Sequence, residues 1–249
     1  MKIILIIIPF LLLISACSSK DKEHSKSSEG AQGNKISGNE NAGNTDQDLS
    51  SKVNSPSDDP AVSDIQYGVK LVPESLHDEN KIIEAVKWKD SLGVNLLVIT
   101  LSEEKTIYED NRIKEFFVHH YLISENNKVL WKTYDFVKDC PFDITLEYID
   151  RSLSVTDLDS NGLAETSFVY RLSCKSDVSP DDMKLIMHEG NKKYAVRGVM
   201  ILKINNEDAG GGEMNIDAAF NKAPQEFKTY AVERWNEFNK DFAGEMYEK

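Results

Sequence analysis

Val155-Thr156-Asp157-Leu158-Asp159-Ser160-Asn161-Gly162-Leu163-Ala164-Glu165-Thr166-Ser167-Phe168 is the stretch on which the fold turns. Counted from Asp157, oxygen-bearing side chains stand at positions 1, 3, 5 and 9, with a glycine at position 6. That spacing lets one tight loop turn several oxygens onto a hard cation, Ca²⁺ above all. A helix-flanked calcium loop also needs a carboxylate at position 12, and that position is Phe168. The flanks, Val155-Thr156 and Thr166 to Leu172, favour strands. The loop is therefore expected to join two strands. Asp157, Asp159 and Asn161 would supply side-chain oxygens, Leu163 a backbone carbonyl, and Glu165 would close the site. The metal-free alternative is an Asn-Gly turn with solvated carboxylates. If a metal binds, a structural clip is expected rather than catalysis.

The strand reading extends outward in both directions. Ile144, Leu146 and Tyr148 alternate with Thr145 and Glu147, and Leu153 and Val155 carry the pattern into the loop. Beyond it Phe168, Tyr170 and Leu172 alternate with Ser167, Val169 and Arg171. Upstream, Ile82 to Trp88 and Val94 to Leu101 flank Asp90-Ser91-Leu92-Gly93, a hairpin with glycine available for positive φ. The second of these runs is almost wholly apolar, which suits a central strand covered on both faces. Phe116 to Ile123 and Val129 to Val137 form a second hairpin around Glu125-Asn126-Asn127-Lys128. Lys184 to Glu189 and Tyr194 to Ile204 form another around Gly190-Asn191, followed by a Gly210-Gly211-Gly212 break expected to be a mobile loop.

Phe227, Tyr230, Ala231, Trp235, Phe238 and Phe242 fall on one face of a C-terminal helix, with Pro224 near its first turn. Glu226, Glu233, Glu237 and Asp241 on the polar face argue against a membrane-surface helix. The expected fold is mainly β: an antiparallel meander of hairpins, as a sandwich or a partial propeller-like sheet, with a C-terminal amphipathic α-helix. No internal repeat is visible, which counts against a full propeller.

The first part of the 249-residue chain reads as an address. Lys2 precedes an apolar stretch from Ile3 to Leu13, too short to span a bilayer comfortably. Ile14-Ser15-Ala16-Cys17 matches the bacterial lipoprotein processing signal, so residues 1–17 are expected to be a signal peptide with Cys17 as the lipidated residue; the alternative is an ordinary secretory signal with an accidental cysteine. Several acyl chains on one cysteine make a stable anchor. Residues 18–63, rich in Ser, Gly, Asn, Asp and Lys, are expected to form a disordered tether placing the domain about 40 Å from the membrane. Ser19-Lys20-Asp21-Lys22-Glu23 resembles the export signals of Bacteroidetes surface lipoproteins; the alternative is the start of a charged linker. Residues 64–249 are expected to form a single β-rich globular domain. The net charge of −13 divides into +1, −3 and −11 over these three segments. An acidic domain argues against nucleic acid or anionic lipid as partner and is compatible with cation binding.

Of the three cysteines, Cys140 and Cys174 remain after Cys17, and an exported chain with one remaining pair suggests a disulfide. His119 and His120 sit consecutively in a strand, so they face opposite sides, one packed and one exposed. Neither they nor His188 suggest a metal role. Trp88, Trp131 and Trp235 are expected in cores rather than stacked on sugars. No serine-hydrolase, zinc-protease or phosphate-loop motif is present, and no pair among the many carboxylates stands out as a glycosidase pair.

The acidic loop resembles the strand–loop–strand calcium sites of integrin-like FG-GAP β-repeats. The block Thr156 to Glu165, then Tyr170-Arg171-Leu172-Ser173-Cys174, then Asp177-Val178-Ser179-Pro180, resembles a family of Bacteroidetes lipoproteins associated with surface polysaccharide (lipopolysaccharide) biosynthesis. Met183 to Gly190 and Lys193 to Gly198 continue the likeness, which covers about a quarter of the chain, Cys140 to Gly198. The resemblance implies a role in making or displaying a surface glycan, and it transfers no catalytic residue. The expectation is an outer-membrane lipoprotein, on the periplasmic face or at the cell surface, clipped by Ca²⁺ and a disulfide. It would have a surface glycan or an envelope assembly protein as partner. The alternatives are a glycan-modifying enzyme with an unrecognised carboxylate pair, or a structural or adhesive surface module.

Overall fold

The computed structural model describes residues 61–205 and 207–242. The signal peptide, Cys17 and the tether as far as residue 60 lie outside the described residues. In chain order the strands are β1 (Ser63–Tyr67), β2 (Lys81–Asp90), β3 (Gly93–Leu101), β4 (Lys105–Tyr108), β5 (Asn111–Leu122), β6 (Lys128–Cys140), β7 (Asp143–Tyr148) and β8 (Ser154–Thr156). Then follow β9 (Glu165–Lys175), β10 (Asp182–Glu189), β11 (Lys192–Val199), β12 (Ile201–Ile204), β13 (Glu207–Gly210), β14 (Met214–Ile216), the helix α1 (Gln225–Phe238) and β15 (Lys240–Phe242). No described helix is long and apolar enough to cross a membrane.

Two sheets form face to face. The first runs β1-β2-β3-β5, with β4 continuing β3's side of β5 and β6 on the other side of β5. The second runs β14-β11-β10-β9, with β7 and β8 sharing the far side of β9. Their inner faces interlock: Val86, Trp88, Leu97, Ile99, Phe116 and Val118 meet Leu146, Phe168, Tyr170, Ile186 and Ala195. Each large side chain so buried contributes roughly 1.5–3 kcal/mol. This is the sandwich of the two expected arrangements, not a propeller-like sheet.

Both sheets are covered on their outer faces as well, which explains their apolar central strands. Phe227, Ala231 and Trp235 of α1 are fully buried and rest with Phe220 on Val169, Met183, Leu185 and Met187. β9 is therefore buried on both faces along Glu165–Tyr170. On the first sheet, short 3₁₀ turns at Val69–Leu71 and Glu74–Leu76 bring Leu71, Val72 and Leu76 onto Ala85, Leu96 and Val98. They cover only part of that face.

The hairpins lie where expected. Asp90 pairs with Gly93 across a two-residue turn, and Gly93 takes φ 111°. Three details differ. Met200 interrupts the Tyr194–Ile204 run and separates β11 from β12. Phe242 does not extend the helix: the Asn239 N–H closes onto the Trp235 carbonyl at 3.0 Å, and Lys240–Phe242 becomes a strand parallel to β12. Among the described strands it is the exception to the antiparallel pairing. The glycine triplet also has a packing reason, because a Cβ on Gly211 (φ 81°) would stand 1.9 Å from the Met200 carbonyl oxygen.

Candidate metal centre

β8 and β9 pair with Thr156 opposite Glu165, so the ladder closes the base of the acidic loop. Ser160 (φ 57°) and Gly162 (φ 76°) take left-handed backbone and fold the loop back on itself. The turned backbone aims its N–H groups at the acids. Asp157 Oδ1 accepts from the Asn161 N–H at 3.0 Å, and its Oδ2 from the Gly162 N–H at 3.2 Å. Asp159 Oδ1 accepts from the Asn161 N–H at 3.3 Å. Glu165 Oε2 accepts from the Leu158 N–H at 2.8 Å and the Thr156 hydroxyl at 3.1 Å.

Glu165 is 1 % exposed, and its Oε1 is buried with no hydrogen-bond partner among the described residues. Burial pushes its carboxyl up to about 7, against the lowering effect of the two bonds to Oε2. One carboxylate oxygen from each of Asp157, Asp159 and Glu165 lies within 4.8 Å of the others. Oxygens that hold one Ca²⁺ at about 2.4 Å stand within about 5 Å of each other, so the three acids fit such an ion.

Asn161 and Leu163, the other two expected ligands, take part in hydrogen bonds within the loop. The Asn161 carbonyl oxygen accepts from the Leu163 N–H at 2.8 Å, and its amide nitrogen donates to Asp159 Oδ2 at 3.0 Å and Glu189 Oε1 at 2.9 Å. Asn161 thus braces the acids rather than joining them with its oxygen, and Leu163 is engaged through its N–H. Glu189, which the sequence does not single out, stands opposite Glu165 in the β9–β10 ladder and pairs with Lys192 at 2.8 Å.

Asp90 fastens the loop to the other sheet. Its buried carboxylate accepts from Trp88 Nε1 (3.0 Å), the Leu92 N–H (2.8 Å), Asn95 Nδ2 (2.8 Å) and the Ala164 N–H (3.3 Å). The neighbouring Ser91 N–H donates to the Gly162 carbonyl at 2.9 Å. At the far end of β9, Cys174 forms a disulfide with Cys140 of β6. The loop and the disulfide therefore pin opposite ends of one strand.

His120 is buried, with Nε2 2.9 Å from Asn95 Oδ1, and burial lowers its pKa to about 4. His119 is half-buried on the other face. His188 lies between the sheets, where burial, and then Lys193 and His120, lower its pKa to about 3. Trp88, Trp131 and Trp235 are core residues, as expected. No family model, no curated protein and no solved structure matches this chain.

Proposed function

We propose that the chain is an exported, lipid-anchored outer-membrane protein that supports surface polysaccharide or lipopolysaccharide biosynthesis or display by binding a glycan or an assembly partner. In this reading Ca²⁺ in the 157–165 loop holds the domain together. The Cys17 processing signal, the polar tether and the family resemblance support the location and the glycan connection.

The observation that carries the structural part is the convergence of Asp157, Asp159 and Glu165 where the two sheets are tied, with a buried Glu165 oxygen that no described group satisfies. These three would hold the ion by carboxylate oxygens, with the Leu163 carbonyl and a turned Asn161 amide completing the set. The ion supplies positive charge that offsets three clustered acids. Backbone N–H groups of the loop itself already grip Asp157, Asp159 and Glu165, an arrangement suited to holding shape rather than to proton transfer.

The enzyme reading has its best-placed carboxylates in Glu147 and Asp150, which line a cavity of about 460 Å³ with Tyr148, Arg171 and Phe238. Glu147 is held there by Arg171 at 2.8 Å, which favours a structural role. A deletion strain, complemented with wild type or Cys17→Ala and compared for lipopolysaccharide and capsule banding, tests the proposal. Altered banding restored only by the wild type is expected; unchanged banding in the deletion strain overturns it. Turnover of a purified surface glycan by the protein would instead establish the enzyme.

A further inference from the structure

We infer that the outer face of β5 and β6 is a binding platform for an acidic polysaccharide strand. This rests on the glycan reading above and names the class of glycan. Along β6 the outward side chains are Lys132, Tyr134, Phe136 and Lys138, all exposed, while Trp131 before them and Thr133 and Val137 between them are buried. Tyr134 is 50 % and Phe136 45 % exposed. Open aromatics in a contiguous row are the informative exception on a protein surface.

The row is held in place. The Tyr134 ring centroid lies 5.5 Å from that of Phe136 and 5.0 Å from that of Phe117 on β5. The Tyr134 hydroxyl donates to Glu115 Oε1 at 2.6 Å, which fixes the ring's direction. Because β6 and β5 pair through Tyr134–Phe117 and Phe136–Glu115, the platform is carried on a ladder and not on a loop. The cluster under the 3₁₀ turns takes in β2, β3 and Tyr121 near the end of β5, but not Phe117, Tyr134 or Phe136.

Charge selects the partner. The domain is acidic, yet this row begins and ends on lysines, neither Lys132 nor Lys138 has an ion-pair partner among the described residues, and the Glu115 carboxylate beside the row on β5 is engaged by the Tyr134 hydroxyl. Six residues of strand at about 3.3 Å each set the two lysines about 20 Å apart. A pyranose presents apolar C–H faces that stack on open rings, and its uronate carboxylates are matched by an ammonium at each end of the row. Nucleic-acid bases also stack on aromatics, but such grooves follow the phosphates with continuous positive charge, which this acidic domain lacks.

The test titrates the mature full chain in detergent with polygalacturonate and with neutral dextran at low salt. Saturable binding of polygalacturonate, weakened by salt, is expected. Tyr134→Ala/Phe136→Ala should weaken it at least about tenfold, the effect of losing aromatic anchors. Lys132→Ala/Lys138→Ala should remove the preference over dextran. Lys132→Ala/Lys138→Ala should leave the melting temperature unchanged, whereas Tyr134→Ala/Phe136→Ala gives up ring contacts and one hydrogen bond and should lower it by a few degrees while the protein stays folded. No binding of polygalacturonate, binding insensitive to both double variants, or equal binding to phosphatidylglycerol vesicles or oligo(dT) overturns the platform. Should the Tyr134→Ala/Phe136→Ala variant fully restore glycan banding in a deletion strain whose banding is altered, the platform falls and the broader function stands. Unaltered banding in the deletion strain, with polygalacturonate binding intact, removes the broader function and leaves the platform.

Discussion

Trp131 of β6 lies flat on His188 of β10, with ring centroids 3.7 Å apart and planes 9° from parallel. The two rings come from opposite sheets, and His120 meets the same Trp131 edge-on at 5.3 Å. Both nitrogens of His188 and Nδ1 of His120 are buried without hydrogen-bond partners among the described residues, so the fold holds these imidazoles neutral.

Acid should therefore weaken the fold. Below about pH 6.5 the unfolded chain protonates imidazoles that the folded chain keeps neutral, so the unfolded state binds more protons and stability falls with pH. The loss accumulates down to about 4 for His120 and about 3 for His188, and amounts to several kcal/mol in all. Glu165, whose carboxyl is raised to about 7, works the other way in this window, so the drop in denaturant midpoint between about pH 7 and about pH 5 should be read in a Glu165→Gln background without Ca²⁺. His188→Phe, which keeps the stack, should flatten that slope; a midpoint that is constant over this range in the Glu165→Gln background would refute the account.

Ca²⁺ should raise the melting temperature of metal-stripped protein. Ligand at about a hundred times its dissociation constant adds about 2.7 kcal/mol. Asp157→Asn/Asp159→Asn should abolish the rise while the protein stays folded without metal. Calorimetric scans with and without Ca²⁺ decide this, and an unshifted wild type excludes the site.

Breaking the Cys140–Cys174 bond should lower stability by about 4 kcal/mol, because it closes a chain segment with a sequence separation of 34. Cys140→Ser/Cys174→Ser compared with the wild type in denaturant, both without Ca²⁺, measures it. A difference near zero would mean that the unfolded chain is already constrained there.

Asp90→Ala removes the acceptor for four donors in a buried turn and should lower stability by about 2–4 kcal/mol. Asp90→Asn should fall between the two, since one amide oxygen keeps part of the set. Because the Ala164 N–H loses its partner, Ca²⁺ affinity should also weaken in Asp90→Ala. An unchanged affinity would show that the turn and the acidic loop act separately.

The hairpins are legible because each element announces itself locally. Glycine stands where Gly93 needs positive φ, and Val94 to Leu101 is apolar because both its faces are covered. The acidic loop is legible for the same reason, as its spacing is contained in nine consecutive residues. What is illegible depends on which strand lies beside which. Glu189 reaches Asn161 only through the β9–β10 register, and the bond from Asp90 to Ala164 spans 74 positions. β1, β4 and β13 are short and wholly exposed, so no hydrophobic period marks them. Phe242 keeps the helical spacing past the point where Asn239 ends the helix. The alternation of Lys132, Tyr134, Phe136 and Lys138 is visible in the sequence, but its openness depends on how far the turns around Val69–Leu76 spread over the sheet.

β9 is joined to the opposite sheet at its start through Asp90, midway by the Tyr170 hydroxyl on Asp135 Oδ2 at 2.7 Å, and near its finish through Cys140. Three rivets along one strand tie the two sheets together over its length. A mechanical load entering from the N-terminal side meets β1 first, an exposed edge strand paired among the described strands with β2 alone. Under tension β1 would peel away as a fuse while the riveted body stays whole.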